Sequence, residues 1–197
     1  MIVAALTGSI AMGKSETAKM FAARGIPVFD SDAAVHLLYA ECGAAVPAIA
    51  AIVPSSIVDG AVDRRQLSAA IQAEPALLPR IEAVVHPMVR DMQLRFLAEA
   101  EAAKADMALL DIPLLFETGR ERDVDVVIVV SAGDALQRER ALKRPGMTPQ
   151  KLDFILSKQL PDVEKRARAD YVIDTSSSLA ETALEVDRVI ADIKAKD

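Results

Sequence analysis

Gly8-Ser9-Ile10-Ala11-Met12-Gly13-Lys14-Ser15 is the stretch from which the rest of the chain is read. It fits Gly-x-x-x-x-Gly-Lys-[Ser/Thr], a loop whose backbone N–H groups cradle phosphates. Ahead of it, Ile2-Val3-Ala4-Ala5-Leu6-Thr7 is short and apolar, as a buried parallel strand should be. Behind it, Ser15-Glu16-Thr17-Ala18-Lys19-Met20-Phe21-Ala22-Ala23 reads as helix, with Ala18, Met20, Phe21 and Ala22 supplying apolar surface. In that order, loop amides and helix N-terminus converge on one anion. Lys14 is expected to put a point charge on the β- and γ-phosphates, and Ser15 a hydroxyl on Mg²⁺. A glycine turn without a ligand is the alternative; both glycines, the Lys-Ser pair and both flanks favour a nucleotide.

Length and charge narrow the class. A chain of 197 residues suits one domain with room for an inserted subdomain. It is 52% hydrophobic, enough for a sizeable core, and with 4% aromatics and no Trp that core must be built on Ala, Val, Leu and Ile. A formal charge of −6 argues against general binding to nucleic acid, although local basic clusters can still take an anionic substrate. Cys42 stands alone, which excludes an internal disulfide framework and fits a reducing compartment. No secretory pattern and no apolar run of about 18 residues is present. A cytoplasmic protein with no membrane or nucleic-acid partner is expected, its oligomeric state unknown.

Arg24-Gly25 is a helix stop, and Ile26-Pro27-Val28-Phe29 a short strand ending at Asp30-Ser31-Asp32. Any of those three can cap the helix that follows through Tyr39, and Asp30 and Asp32 equally suit a functional site at a strand end. Residues 43–104 read as almost wholly helical, punctuated by prolines, with a turn at Val58-Asp59-Gly60. Met107-Ala108-Leu109-Leu110-Asp111-Ile112 is a strand carrying an acid at its end, and Asp125-Val126-Val127-Ile128-Val129-Val130 a β-branched one. A helix from Asp134 to the Pro145-Gly146 turn, another over 148–160, and the segment 162–168 precede a last strand, Tyr171-Val172-Ile173, and a helix over 179–194. Strands separated by helices throughout indicate a parallel sheet covered on both faces.

Ligands of such sheets collect outside the carboxyl ends of the strands, which singles out Asp32 and Asp111. Asp32 is the best-placed base for an acceptor hydroxyl. Asp111 suits a Mg²⁺-bound water or a helix cap. Arg140 and Arg144 fall on one helix face together with Gln137, either as a solvated face or as a lid closing over a triphosphate. His36 lies in an apolar helical stretch and reads as packing. His86 precedes Pro87, which should push its backbone out of the helical region into an exposed kink, there to meet substrate or to serve structure alone.

Taken together these strings resemble the dephospho-coenzyme A kinase family, nearly end to end. The resemblance is carried by Leu6-Thr7-Gly8-Ser9-Ile10, Asp30-Ser31-Asp32, Asp63-Arg64 with Leu67, and Ile81-Glu82-Ala83-Val84-Val85-His86-Pro87. Asp111-Ile112-Pro113-Leu114-Leu115-Phe116-Glu117, Gln137-x-x-Arg140-x-x-x-Arg144, Gln159-Leu160-Pro161 and Ala169-Asp170-Tyr171-Val172-Ile173-Asp174 complete it. It implies an α/β, three-layer P-loop kinase fold with a five-stranded parallel sheet. The core would comprise 1–30, 105–134 and 169–197, with a helical substrate-binding insertion over 31–104 and a helical lid over 135–168. It implies transfer of phosphate from ATP, with Mg²⁺, to the ribose 3′-hydroxyl of dephospho-coenzyme A. Carried over by position, Asp32, Lys14 and Arg140 are catalytic. Gly8, Ala11, Met12, Gly13, Lys14, Ser15, Glu16 and Arg144 hold the nucleotide. Asp32, Arg64, His86 and Leu114 meet the acceptor, and Ser15 with Asp111 the metal. Three positions depart from the family pattern: Glu16 replaces Ser or Thr, Ile155 a frequent Arg, and Ile71 a frequent Phe. Another small-molecule kinase of this fold is the nearest rival; a nucleotide-dependent switch lacks its guanine-reading Asn-Lys-x-Asp here.

Overall fold

The computed structural model describes residues 1–195, which form two compact units: 1–29 with the chain from 100 onward, and 30–99. In the first, β1 (Ile2–Thr7) leads through the glycine loop into α1 (Lys14–Ala22). Gly25, at φ 77°, ends that helix: its N–H reaches the Ala22 carbonyl (3.0 Å) and that of Ile26 reaches Phe21 (3.3 Å). The last carbonyls are thereby satisfied, and Ile26 folds back into the same apolar cluster as Phe21. β2 (Val28–Asp30) begins later than its apolar run suggests because Pro27 has no N–H to donate, though its carbonyl accepts from Leu109 (2.8 Å).

In the second unit Asp30 caps α2 (Ser31–Tyr39), accepting from the N–H groups of Asp32 (2.9 Å) and Ala33 (3.0 Å). His36 is exposed and not packed, since the buried stripe of α2 runs through Ala34 and Leu38. Then come α3 (Val46–Ile52), β3 (Ile57–Val58), β4 (Ala61–Val62), α4 (Arg64–Ala73) and α5 (Leu77–Ala102). Apart from two strands of two residues each, the elements within 43–104 are helices, in line with the almost wholly helical reading. Asp59 and Gly60 both take positive φ (49° and 77°), which reverses the chain tightly enough for β3 and β4 to pair antiparallel. Pro87 corrects a second expectation, for it lies inside α5 and His86 stays helical. Both are exposed, while Ile81, Val85 and Val89 form the buried stripe. Burying that stripe outweighs the one backbone bond that a proline removes.

The first unit resumes with β5 (Met107–Asp111), β6 (Val126–Ser131), α6 (Asp134–Leu142), α7 (Pro149–Leu156), α8 (Asp162–Ala167), β7 (Tyr171–Asp174) and α9 (Leu179–Lys194). Sheet order is β2-β5-β1-β6-β7. β1 pairs in parallel with β5, Leu6 opposite Asp111, and with β6, Thr7 opposite Val129. The order turns back at β1, so the glycine loop leaves the sheet at its topological switch point. Carboxylates close the opposite end: Asp125 accepts from Val3 (2.8 Å) and Asp170 from Val127 (2.7 Å). α7 stops short of the predicted 160, leaving 157–160 as a turn. Among the described residues no helix is long and apolar enough to cross a membrane.

Candidate active site

Glycine is required at the mouth of β1, where a Cβ on Gly8 would stand 2.8 Å from the Val130 carbonyl oxygen. Gly13, at φ 90°, backs onto Thr175, whose hydroxyl donates to the Met12 carbonyl (2.7 Å). Met12 itself is fully buried, and its Sδ accepts from the Ala132 N–H at 3.2 Å. Ile10 is held at both polar atoms of its backbone: its N–H donates to Gln159 Oε1 (3.0 Å) and its carbonyl accepts from Gln137 Nε2 (2.9 Å). Within α1 the first backbone bond runs from Thr17 to Gly13 (3.1 Å). The N–H groups of Lys14, Ser15 and Glu16 precede it and stay available to phosphate oxygens. The Glu16 carboxylate points elsewhere, to Lys19 at 2.6 Å on the exposed face.

Lys14 forms an ion pair with Asp111, which is only 3% exposed at the end of β5. Ser15 is exposed, and its hydroxyl has no partner among the described residues. Mg²⁺ in phosphoryl-transfer sites takes one or two protein oxygens and completes its shell with water and phosphate. Ser15 with Asp111 fits that requirement, and among the described residues no group of three acidic, His or Cys ligands offers an all-protein cage. Arg140 donates through Nη2 to the Thr175 carbonyl (2.8 Å), at the end of β7. Arg144 does not share a helix face with it: α6 stops at Leu142, and Arg144 sits exposed in the turn beyond.

Beyond β5, the 111–121 segment is tied to α8 and its approach. Glu117 Oε1 accepts from the Leu160 N–H (2.8 Å) and pairs with Lys165 Nζ (2.8 Å), a lysine that is 0% exposed. The Arg168 guanidinium stacks 4.5 Å from the Phe116 ring centroid and pairs with Glu121. Burial alone pushes the Glu117 carboxyl up; the Lys165 ammonium and the Leu160 N–H outweigh it and hold the pKa below its usual value. A depressed folded pKa gives stability that is present above the unfolded value of about 4.3 and lost as pH falls through the folded one. Glu117→Gln is expected to cost about 3 kcal/mol at neutral pH, by stranding a buried ammonium. Its deficit against wild type should narrow in acid, and urea titrations at neutral and acid pH read both results.

In the second unit, Asp32 stands exposed in the first turn of α2, its carboxylate without a partner among the described residues. Asp63 caps α4 through the N–H groups of Arg65 (2.8 Å) and Gln66 (3.0 Å), leaving Arg64 exposed at the helix start. The Arg64 charge acts on the buried Tyr39, whose hydroxyl burial pushes up while that charge pulls it down. His86 is exposed on α5, and Leu114 is exposed in the first unit. Sequence reasoning quoted Gln159 and Glu117 only as parts of motifs and passed over Thr175. A threonine one residue beyond β7 obeys the same strand-end rule that picked out Asp32 and Asp111, and could have been found by it.

A five-stranded parallel sheet with its glycine loop at the switch point, a lysine opening α1 and helices on both faces define a P-loop kinase fold. The family model described as dephospho-CoA kinase matches residues 1–181. The chain belongs to the dephospho-CoA kinase family. A dephospho-CoA kinase of Rhizobium etli is 53% identical over 98% of this chain and 95% of its own. The crystal structure of TT1252 from Thermus thermophilus superposes with a TM-score of 0.84 at 32% identity, covering 98% of this chain and 97% of that one. A dephospho-CoA kinase from Campylobacter jejuni shares the fold, with a TM-score of 0.73 at 22% identity and 98% of each chain covered.

Proposed function

We propose that this chain transfers the γ-phosphoryl group of ATP to the ribose 3′-hydroxyl of dephospho-CoA, yielding CoA and ADP in the last step of CoA synthesis. The observation that carries the reading is an intact phosphate loop in a chain whose family match spans residues 1–181. The loop amides and the Lys14 ammonium hold the β- and γ-phosphates. Ser15 and Asp111 are the protein oxygens that would hold Mg²⁺, which would offset the negative charge of the phosphates. Asp32 orients the acceptor hydroxyl and takes its proton. Arg140 faces the charge that develops on the transferring group, and Arg144 the nucleotide. Arg64, His86 and Leu114 meet the acceptor.

An acceptor panel tests the assignment. Dephospho-CoA should stimulate ADP formation far more than AMP, shikimate or gluconate does. Equal stimulation by all four, or none by dephospho-CoA, would sink it.

A further inference from the structure

We propose that Gln137 and Gln159 are positioning residues that clamp the Ile10 backbone at its N–H and its carbonyl and hold the phosphate loop in the conformation that receives ATP. The proposal rests on the kinase reading and adds to it the device that sets the loop. Each peptide carries one donor and one acceptor, and in a phosphate loop the useful N–H groups must stay free for the ligand. The loop therefore has few internal bonds with which to fix itself. Met12 N–H to the Ser9 carbonyl (3.2 Å) is one, and Ala11 at φ 63° holds a conformation that L residues rarely adopt. Fixing must come from outside. Thr175 supplies it at Met12, and the two glutamines supply it at Ile10.

The glutamines reach Ile10 from separate elements, 127 and 149 residues away in the chain. Their amides can face it in one sense only, because an N–H needs the side-chain oxygen and a carbonyl needs the side-chain nitrogen. Gln137 is 5% exposed. A buried amide is costly when unpaired, so its bond to the loop is also what makes its burial tolerable. Gln159 is braced through its neighbour: the Leu160 N–H is fixed by Glu117, itself paired with Lys165. Both glutamines line a cavity of about 600 Å³, so a side chain of similar size can replace either without overpacking. Loosening the clamp lowers the fraction of loops ready for ATP and weakens apparent affinity in proportion.

The roles of the two residues are chemically opposite, and that supplies the test. Gln159→Glu keeps the acceptor oxygen; Gln159→Met removes it at similar volume. Gln137→Glu loses the donor and turns an oxygen toward the Ile10 carbonyl. Affinity for ATP, read by calorimetry without acceptor, should stay within about threefold of wild type in Gln159→Glu and fall about tenfold or more in Gln159→Met and Gln137→Glu. The KM for ATP should follow affinity, with kcat less affected and cooperative melting retained. Equal affinities for the two Gln159 variants would overturn the clamp, as would wild-type affinity in all three. Should Gln137→Glu fail to fold, the contrast at half-buried Gln159 decides alone. A wrong acceptor shows differently: wild type would bind ATP yet not turn over dephospho-CoA, with the Gln159 contrast still readable.

Discussion

Asp32→Asn is expected to lower kcat by about 10²–10⁴-fold while ATP affinity stays close to wild type. The lower end applies if a loose transition state leaves Asp32 chiefly orienting the hydroxyl. One acid ends β2 and another lies two residues beyond it, and their carboxylates are engaged differently. Asp30 commits its carboxylate to the N–H groups of Asp32 and Ala33. Asp32, two residues on, is exposed and uncommitted among the described residues. Asparagine keeps the shape and leaves the cap untouched, so a small stability change of about 0.3–1 kcal/mol, from losing a first-turn acid, is all that folding should register. Steady-state kinetics in both substrates and a thermal melt distinguish the cases. Weaker ATP binding with unchanged kcat would remove Asp32 from the proton-handling role.

Lys14→Ala should reduce kcat by about 10²–10³-fold, the cost of losing a fixed cation where charge develops. Read from the sequence, Lys14 belongs to the phosphate loop, and its loss is expected to leave cooperative melting largely intact. Its ion pair with Asp111, 3% exposed, changes that expectation. Removing the ammonium takes the counter-charge from a buried carboxylate and should cost up to about 3 kcal/mol. Adding Asp111→Asn should restore most of the melting temperature and none of the turnover. Retained turnover in the single variant would exclude Lys14 from the mechanism. An unaltered melt would show that the pair contributes nothing to folding.

Features encoded by neighbours in the chain are legible in the sequence. β1, β5 and β6 are continuous apolar runs because both sheet faces are covered, and Gly25 ends α1 by a local backbone bond pattern. The readings that failed applied a local rule where packing decides. Pro87 stays within α5 because Ile81, Val85 and Val89 bury the far stripe, and Arg144 misses the α6 face because that helix stops at Leu142. Contacts distant in sequence left no signal. Lys165 sits beside Arg166 and Arg168, where composition suggests a solvated face, yet it is buried against Glu117. The hold of Gln137 and Gln159 on Ile10 is equally invisible in a spacing pattern, since nothing local joins residue 10 to residues 137 and 159.

The motif Gly-x-x-x-x-Gly-Lys-Ser is written with four wildcards, and in this chain none of them is free. Ser9 is buried against the cavity wall, and Ile10 packs on a small apolar cluster while its backbone is gripped. Ala11 joins that same cluster, with Ala141 and Leu152. Met12 belongs instead to the main core under the sheet. The motif is thus indifferent to these four side chains, whereas the protein's interior is not. Variation among relatives at such positions would trace how each one's hydrophobic packing is solved, and a loop grafted from one kinase to another could match the signature at every letter and still fit badly.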